Sequence, residues 1–183
     1  KENQIEYKDY YLSIGRLTKQ KNFIFLLKAI SKLENENFKL LILGEGEQLI
    51  YLKNLIIKNG LTKKVFLLGY QRNVYKYLKN AKALICTSLW EDPGFFLIES
   101  GYCNIPVISS DCPNGPKEIL DYGKNGYLYK NNSEKDLIDK LYEFNNDSSE
   151  TLKQKILNLK KMTKEFTKFN HFKKLTNYLE NEV

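Results

Sequence analysis

TSLWEDPGFFLIESGYCNIP, residues Thr87–Pro106, carries two acids on either side of a predicted helix start. Pro93 and Gly94 interrupt the chain, and the apolar residues after them predict a helix that begins about there. Glu91 then lies in the loop before the helix, and Glu99 lies in its second turn. The helix N-terminus between the acids has unpaired N–H groups and about half a positive charge, so it attracts phosphate.

Two carboxylates around an anion site suit a ligand with phosphate in its middle and hydroxyl groups at both ends, which is the layout of a nucleotide-sugar. For any isolated pair of acids, two ordinary surface charges are the more frequent explanation. The choice between a binding site and two solvated acids therefore depends on the rest of the chain.

Outside this stretch, short apolar runs alternate with segments of helical periodicity. Strands are predicted at Tyr10–Gly15, Phe38–Gly44, Val65–Gly69, Ala83–Ser88, Pro106–Ser110 and Gly126–Tyr129. Helices are predicted between them at about residues 22–33, 47–59, 74–80 and 116–120, and again after about residue 133. This alternation predicts a doubly wound, Rossmann-like α/β fold, whose parallel sheet of about six strands is covered by helices on both faces.

The loops that follow the strands are expected to share one edge of the sheet, where ligands of this fold class bind. Both arginines of the chain, Arg16 and Arg72, lie in these loops, and arginine suits bidentate contact with phosphate. Arg16 and Lys21 bracket the first loop, which predicts a clamp for a diphosphate. Gly69 opens a loop whose Tyr70 and Arg72 either lie against a base or are ordinary surface residues.

The composition is that of a basic globular protein. The chain has 183 residues, of which 42% are hydrophobic, with a net charge of +7 and a pI of about 9.1. Such a charge is compatible with nucleic acid, anionic lipid or phosphorylated substrates, but the lysines are dispersed, which disfavours nucleic acid. The sequence has neither an apolar run of membrane-spanning length nor a secretory signal, and its start suggests a piece of a longer protein.

Several kinds of chemistry are disfavoured by the residues present. Cys86, Cys103 and Cys112 have no paired metal spacing and are interpreted as reduced cytosolic thiols, while His171, the single histidine, excludes a multi-histidine metal site. Gly44–Gly46 supplies only half of a dinucleotide fingerprint, and no phosphate-binding P-loop motif occurs.

The C-terminal part differs from the rest in being lysine-rich and helical. We divide the chain into an α/β domain at residues 1–147 and C-terminal helices at residues 148–183. These helices carry one apolar stripe formed by Leu152, Ile156, Leu159, Met162, Phe166, Phe169, Phe172, Leu175 and Leu179. The stripe is expected to pack on the α/β domain or on a missing N-terminal domain, with a membrane surface as the alternative.

In their order and spacing, the motifs resemble those of the C-terminal, donor-binding domain of the family 4 (group 1) retaining glycosyltransferases. The resemblance covers about Tyr10–Tyr129 and rests on SIGRLTKQKN, LILGEGEQ, SLWEDPGFFLIES and CNIPVISSDCPNGPKEILDYGKNGYLY. One departure is Asp92-Pro93, where many members have Gly-Phe, which leaves the sugar unidentified. The resemblance implies one half of a GT-B enzyme, whose acceptor site lies on an N-terminal domain.

The same resemblance implies residue roles. Glu91, Arg16 and Lys21 are implied to be catalytic, with Glu91 binding hydroxyls of the transferred sugar and the two cations stabilising the leaving nucleoside diphosphate. Glu99 is implied to hold the ribose. The other implied donor-binding residues are Gly15, Gly69, Tyr70, Arg72, Gly94, Phe95 and Phe96. No metal and no cofactor are expected.

The expected function is therefore retaining transfer of a hexose from a nucleotide-sugar, with a UDP-sugar favoured, to a glycan or lipid-linked acceptor in polysaccharide biosynthesis. The expected location is the cytoplasm, including peripheral contact with an anionic membrane, and no nucleic-acid partner is expected. The chain alone is expected to bind the donor but to transfer little sugar. Two alternatives stay open, a nucleotide-sugar epimerase of the same architecture and a non-catalytic nucleotide-binding module.

Overall fold

The computed structural model describes residues 7–181 and contains one parallel sheet. Its six strands are β1 (Tyr10–Ile14), β2 (Leu40–Leu43), β3 (Val65–Leu67), β4 (Ala81–Cys86), β5 (Val107–Ser110) and β6 (Tyr127–Tyr129). They are arranged in the order β3-β2-β1-β4-β5-β6, and each neighbouring pair is parallel. The predicted doubly wound α/β fold is thus confirmed.

Helices cover both faces of the sheet. They are α1 (Phe23–Ser31), α2 (Leu49–Lys58), α3 (Tyr75–Leu78), α4 (Phe95–Tyr102), α5 (Pro116–Ile119), α6 (Glu134–Asn146), α7 (Ser149–Thr163) and α8 (Lys168–Asn181). Residues of α1, α2 and α6 form one apolar core with one side of the sheet. Residues of α3, α4, α5 and α7 form a second core with the other side.

The strands are apolar on both faces because both faces are buried. In β1, Tyr11 belongs to the first core, whereas Tyr10 and Leu12 belong to the second. All four residues of β2 are likewise buried and alternate between the two cores. Two-sided burial explains the continuous apolar runs in the sequence and the absence of polar alternation in them.

The strand order reverses at β1: β2 and β3 lie on one side of it, and β4, β5 and β6 lie on the other. The connection after β1 leads to α1 on one face, and the connection after β4 leads to α4 on the opposite face. The two loops therefore separate at the carboxyl edge and leave a crevice between them, as expected at the switch point of a doubly wound sheet.

Element boundaries differ from the predictions by a few residues. The largest difference is at β4, which begins at Ala81 and ends at Cys86, two residues earlier than predicted at each end. Tyr10 of β1 pairs with Ala81, so β4 includes residues on both sides of the exposed Lys82. Pairing between strands that are far apart in the sequence determines this boundary, so a local apolar pattern does not predict it.

The predicted C-terminal stripe is interrupted. Helix α7 packs on α4, where Leu159 is fully buried and a Cβ built on Gly101 would lie 2.5 Å from Cγ2 of Thr163. A short 3₁₀ helix at Lys164–Phe166 follows, and the apolar residues of α8 beyond it are exposed. Residues 149–163 thus belong to the α/β body, whereas α8 does not add to its core.

The packing of α7 is testable with two leucines of the same helix. Leu159→Ala is expected to lower the free energy of unfolding by about 2–5 kcal/mol, because it leaves a cavity in the core. Leu157→Ala is expected to change it by less than about 0.5 kcal/mol, because this leucine is exposed. Urea unfolding measures both values, and equal losses would contradict the packing of α7 on α4.

Candidate functional site

The site lies in the crevice between the loops that follow β1 and β4. Thr87 Oγ1 donates a hydrogen bond to Lys21 O at 2.8 Å. Leu89 N donates to Gln20 O, also at 2.8 Å. These two bonds hold the loops together beyond the ends of their strands, so side chains from distant parts of the sequence meet there.

Lys21 and Glu91 form an ion pair at the centre of this crevice. Lys21 Nζ lies 2.5 Å from Glu91 Oε1, and Ser88 Oγ donates a hydrogen bond to the same oxygen. Glu91 is only 3% exposed, and the side chain of Lys21 is 13% exposed. Nζ also lies 4.7 Å from the ring centroid of Phe96. The two charges thus offset each other in a place where either one alone is costly.

Two glycines make room for this arrangement. A Cβ on Gly15 would lie 2.9 Å from Cγ of Lys21, so the lysine stem passes directly over the glycine. Gly94 caps α4 with a left-handed conformation at φ 85°, which glycine adopts without strain. The reach of Lys21 to Glu91 and the start of α4 beside the pair therefore depend on these glycines.

The N-terminus of α4 presents backbone amides next to the ion pair. The N–H of Leu97 bonds to Gly94 O at 2.9 Å, and the amides of Phe95 and Phe96 precede that bond. Such amides, together with the helix dipole, favour an anion. The helix begins one residue after Gly94, and Glu99 lies in its second turn, as the sequence predicted.

A cavity of about 320 Å³ opens on the other side of β1. Its walls are mainly apolar and lie at the carboxyl ends of β1 and β2 and in the loop after β3. The lining residues are Ile14, Gly15, Arg16, Leu43, Gly44, Glu45, Tyr70, Gln71 and Val74. Gln71 is held at both ends, by donating to Leu68 O at 2.8 Å and by accepting from the Tyr77 hydroxyl at 3.0 Å.

Glu99 lies on α4 opposite α3. The Tyr75 hydroxyl donates a hydrogen bond to Glu99 Oε1 at 3.2 Å. Burial raises the pKa of Glu99, and the hydrogen bond from Tyr75 opposes that rise. The negative charge of Glu99 in turn raises the pKa of Tyr75. Because Val74 lines the cavity and directly precedes Tyr75, this pair stands beside the cavity.

The loop after β5 supports the loop that carries Glu91. Glu91 N donates to Pro113 O at 3.0 Å. A Cβ on Gly115 would lie 2.1 Å from Pro93 O, so the two backbones are in close contact there. The loop after β6 joins them, since Asn131 Nδ2 donates to Leu89 O at 3.3 Å. The position of Glu91 thus depends on three consecutive strands.

The structure brings most predicted site residues into two neighbouring groups. Lys21, Glu91 and Phe96 meet at the ion pair, where Gly15 and Gly94 make room for them, as described above. Arg16 and Tyr70 line the cavity, whereas the exposed Arg72 lies outside its wall. The roles assigned to all these residues stay predictions.

Sequence reasoning missed three supporting side chains. Ser88 had a usable signal, because it stands three residues before Glu91 in the same loop. Tyr75 had none, because its partner Glu99 lies on another helix. Gln71 looks like an ordinary loop residue in the sequence, although its partners Leu68 and Tyr77 are close along the chain.

One cysteine contacts the ion-pair site, since Cys86 Sγ donates a hydrogen bond to Ser88 Oγ at 3.6 Å. The three cysteines are free, and burial raises the pKa of Cys86 and raises that of Cys112 to about 12. Among residues 7–181, no group of three or more His, Cys, Asp or Glu side chains could hold a metal ion. No helix within the same residues has the length and apolar character needed to cross a bilayer.

Comparison with known proteins supplies a family. The family model "Glycosyl transferases group 1" matches residues 1–162. An uncharacterized glycosyltransferase of Methanocaldococcus jannaschii is 41% identical over 135 residues, which are 66% of this chain and 33% of that protein. The N-acetylgalactosamine-N,N'-diacetylbacillosaminyl-diphospho-undecaprenol 4-alpha-N-acetylgalactosaminyltransferase of Campylobacter jejuni is 35% identical over 129 residues, which are 70% and 35% of the two chains.

Solved structures share the fold. The crystal structure of a mutant of S. aureus TarM, in complex with Fondaparinux, alpha-GlcNAc-glycerol and UDP, superposes with a TM-score of 0.83 at 24% identity, covering 96% of this chain and 36% of that one. The present chain therefore spans about a third of the length of these three relatives.

The buried ion pair is testable by removing its charges singly and together. Lys21→Met is expected to lower the free energy of unfolding by about 2–3 kcal/mol, because it leaves Glu91 buried without a partner. The double variant Lys21→Met/Glu91→Gln is expected to recover most of this loss, because no charge stays buried and Ser88 keeps its acceptor. Urea unfolding measures each variant.

The matched control is Lys135→Met, which removes an exposed ion pair with Asp139 whose Nζ–Oδ2 distance is 2.6 Å. Its cost is expected to stay below about 1 kcal/mol. A double variant at Lys21 and Glu91 that is as unstable as the sum of its single variants would contradict the buried pair.

Proposed function

The chain belongs to the glycosyl transferases group 1, and we propose from this membership that it is the donor-binding half of a retaining hexosyltransferase that uses a UDP-sugar. The observation that carries the proposal is the Lys21–Glu91 pair, which lies at the N-terminus of α4 beside an apolar cavity. A nucleotide-sugar needs a site for a base, a site for a diphosphate and a hydroxyl-binding acid, in that order.

In this proposal, the cavity takes the nucleoside, and Glu99 accepts hydrogen bonds from the ribose. Arg16, Lys21 and the first amides of α4 bind the diphosphate. Glu91 Oε1 already accepts bonds from Lys21 and Ser88, so Glu91 Oε2 is assigned to the sugar hydroxyls. This order follows the positions of the groups along the carboxyl edge of the sheet.

The proposed reaction transfers the sugar with retention of its anomeric configuration. The bond between the anomeric carbon and the β-phosphate oxygen breaks, and its electron pair leaves with UDP. The oxygen of an acceptor hydroxyl forms the new bond to the anomeric carbon, and one proton is released. Negative charge develops on the departing phosphate, so fixed positive groups placed there stabilise the transition state. Lys21, Arg16 and the amides of α4 are these groups in our proposal.

The choice of substrates follows the relatives. UDP is proposed as the nucleotide because the S. aureus TarM complex contains UDP. A lipid-linked glycan is proposed as the acceptor because the name of the C. jejuni relative includes diphospho-undecaprenol. With such an acceptor, the protein would work in the cytoplasm at the inner face of a membrane, in the assembly of a surface glycan.

Nucleotide binding is the first test. Calorimetry is expected to show UDP binding to this chain, and Arg16→Ala is expected to weaken it about ten-fold, because charge-assisted bonds to phosphate are lost. Neither the binding-competent fold nor the melting temperature should change much, because Arg16 is exposed.

Lys19→Ala is the matched control, because Lys19 is an exposed cation in the same loop and lies outside the cavity wall. Its effect on UDP affinity is expected to be about two-fold or less, which reports the long-range loss of one charge. Absence of heat with UDP, GDP and ADP at millimolar concentration would contradict the proposed function.

The other half of the enzyme is part of the proposal. Because the chain spans about a third of its relatives, we assign the acceptor site to polypeptide outside residues 1–183 and expect this chain alone to transfer little sugar. The products of the whole protein, with and without acceptor, distinguish transfer from epimerisation of the donor.

The C-terminal helix is the proposed contact with that other half. The side chains that carry the apolar face of α8 and its approach are exposed, namely Phe166, Phe169, Phe172, Leu175 and Leu179. A face of this size on one helix is normally covered by protein or membrane. The position of α8 outside both cores supports a partner beyond residues 7–181.

In the whole protein, Phe172→Glu is expected to lower the melting temperature and the transferase activity, because it places a charge in the contact. UDP binding by the present chain should not change. Lys174→Glu, on the opposite face of α8, is the control and should leave both quantities of the whole protein nearly unchanged, because its ion pair with Glu165 is exposed. Equal behaviour of the two variants would contradict docking through this face.

A further inference from the structure

Beside the cavity that opens next to β1, one hydrogen bond joins a side chain of α3 to a side chain of α4. The loop after β3 supplies Tyr70, Gln71 and Val74 to one wall, and α3 begins at the next residue, Tyr75. Tyr75 Oη lies 3.2 Å from Glu99 Oε1 on α4. A single hydroxyl thus connects the nucleoside side of the crevice to the helix whose N-terminus faces the phosphates.

Both residues of this hydrogen bond lie on helices that are anchored by buried residues. On α3, the buried Tyr77 accepts a hydrogen bond from the Tyr10 hydroxyl at its carbonyl, at 2.7 Å, and its own hydroxyl holds Gln71. On α4, Leu97 and Ile98 are buried in the core immediately before Glu99. Because neither helix can shift freely, the bond determines the direction of the Glu99 carboxylate.

We propose that Tyr75 is a positioning residue that orients Glu99 toward the ribose of a bound nucleoside diphosphate, so that the site selects ribose over deoxyribose. The inference rests on the proposed function. The Tyr75 hydroxyl occupies Oε1 of Glu99, which leaves Oε2 for a ribose hydroxyl. Tyr75 is 46% exposed, so its ring borders the entrance and is not part of the core.

The protonation state of Glu99 provides a measurable test of the positioning role of Tyr75. An ionised carboxylate only accepts hydrogen bonds, and it suits two ribose hydroxyls. Burial raises the pKa of Glu99, and the bond from Tyr75 lowers it. The other titratable groups nearby are Cys103, which directly follows α4, and Lys79, which directly follows α3. Removing the Tyr75 hydroxyl therefore raises the pKa of Glu99 further. As the pH is lowered, Glu99 is then protonated, and UDP affinity is lost, at a higher pH than in the wild-type protein.

The experiment compares UDP with 2′,3′-dideoxy-UDP by calorimetry. Tyr75→Phe is expected to weaken UDP binding about three- to ten-fold, because Glu99 is no longer held toward the ribose hydroxyl that it binds, and to leave the affinity for the dideoxy analogue unchanged. In the Glu99→Gln background, Tyr75→Phe should have no further effect. The pH below which UDP affinity falls should be higher in the Tyr75→Phe single variant than in the wild-type protein, and it should not rise in the other variants.

Tyr142→Phe makes the same chemical change on the exposed face of α6 and controls for loss of a phenol. An unchanged UDP affinity of Tyr75→Phe, or equal losses for both ligands, would overturn the inference while wild-type binding of UDP upheld the proposed function. If the wild-type chain bound no UDP, the proposed function would fail, and the ribose role with it.

Discussion

The contact between Lys21 and Glu91 joins the two loops on which the crevice depends. The loops follow β1 and β4, which are neighbours in the sheet although their residues are 70 positions apart. Each charge is tolerated at its depth because the other is within 2.5 Å and because Ser88 shares the carboxylate oxygen. The pair therefore couples stability to function: the groups proposed to bind a charged donor are also those that hold the loops together before it arrives.

Helix α4 connects the core, the site and the C-terminal helices. One side of it is buried against the sheet through Leu97 and Ile98, and Gly101 allows α7 to approach closely. Its N-terminus points into the crevice, and Glu99 faces α3. A short helix can do all this because successive residues point in directions about 100° apart, so the eight residues of α4, about two turns, serve the core, the candidate site and a neighbouring helix.

The sequence predicted more of the fold than of the contacts within the candidate site. The six strands and their parallel orientation were predicted, because burial of both faces gives each strand a continuous apolar run. The order of the strands in the sheet was not predicted. Glu91 and Lys21 were predicted from their loops to lie at the same edge of the sheet, and they do, but their direct pairing was not predicted. The Tyr75–Glu99 bond left no pattern at all, because it joins two helices through side chains whose separation along the chain has no periodic meaning. The C-terminal stripe looked continuous, yet a turn at Lys164–Phe166 divides it.

The sequence by itself determined the class of fold, the edge of the sheet at which the candidate site lies and the family, since these follow from local apolar periodicity, from glycine and proline positions and from ordered motifs. Only the tertiary structure decided which charges neutralise each other, which loop residues form the cavity wall and where the core ends within the C-terminal helices. Those outcomes depend on distances between segments far apart in the chain. A one-dimensional pattern specifies which residues are available for contact, whereas packing in three dimensions selects the partners.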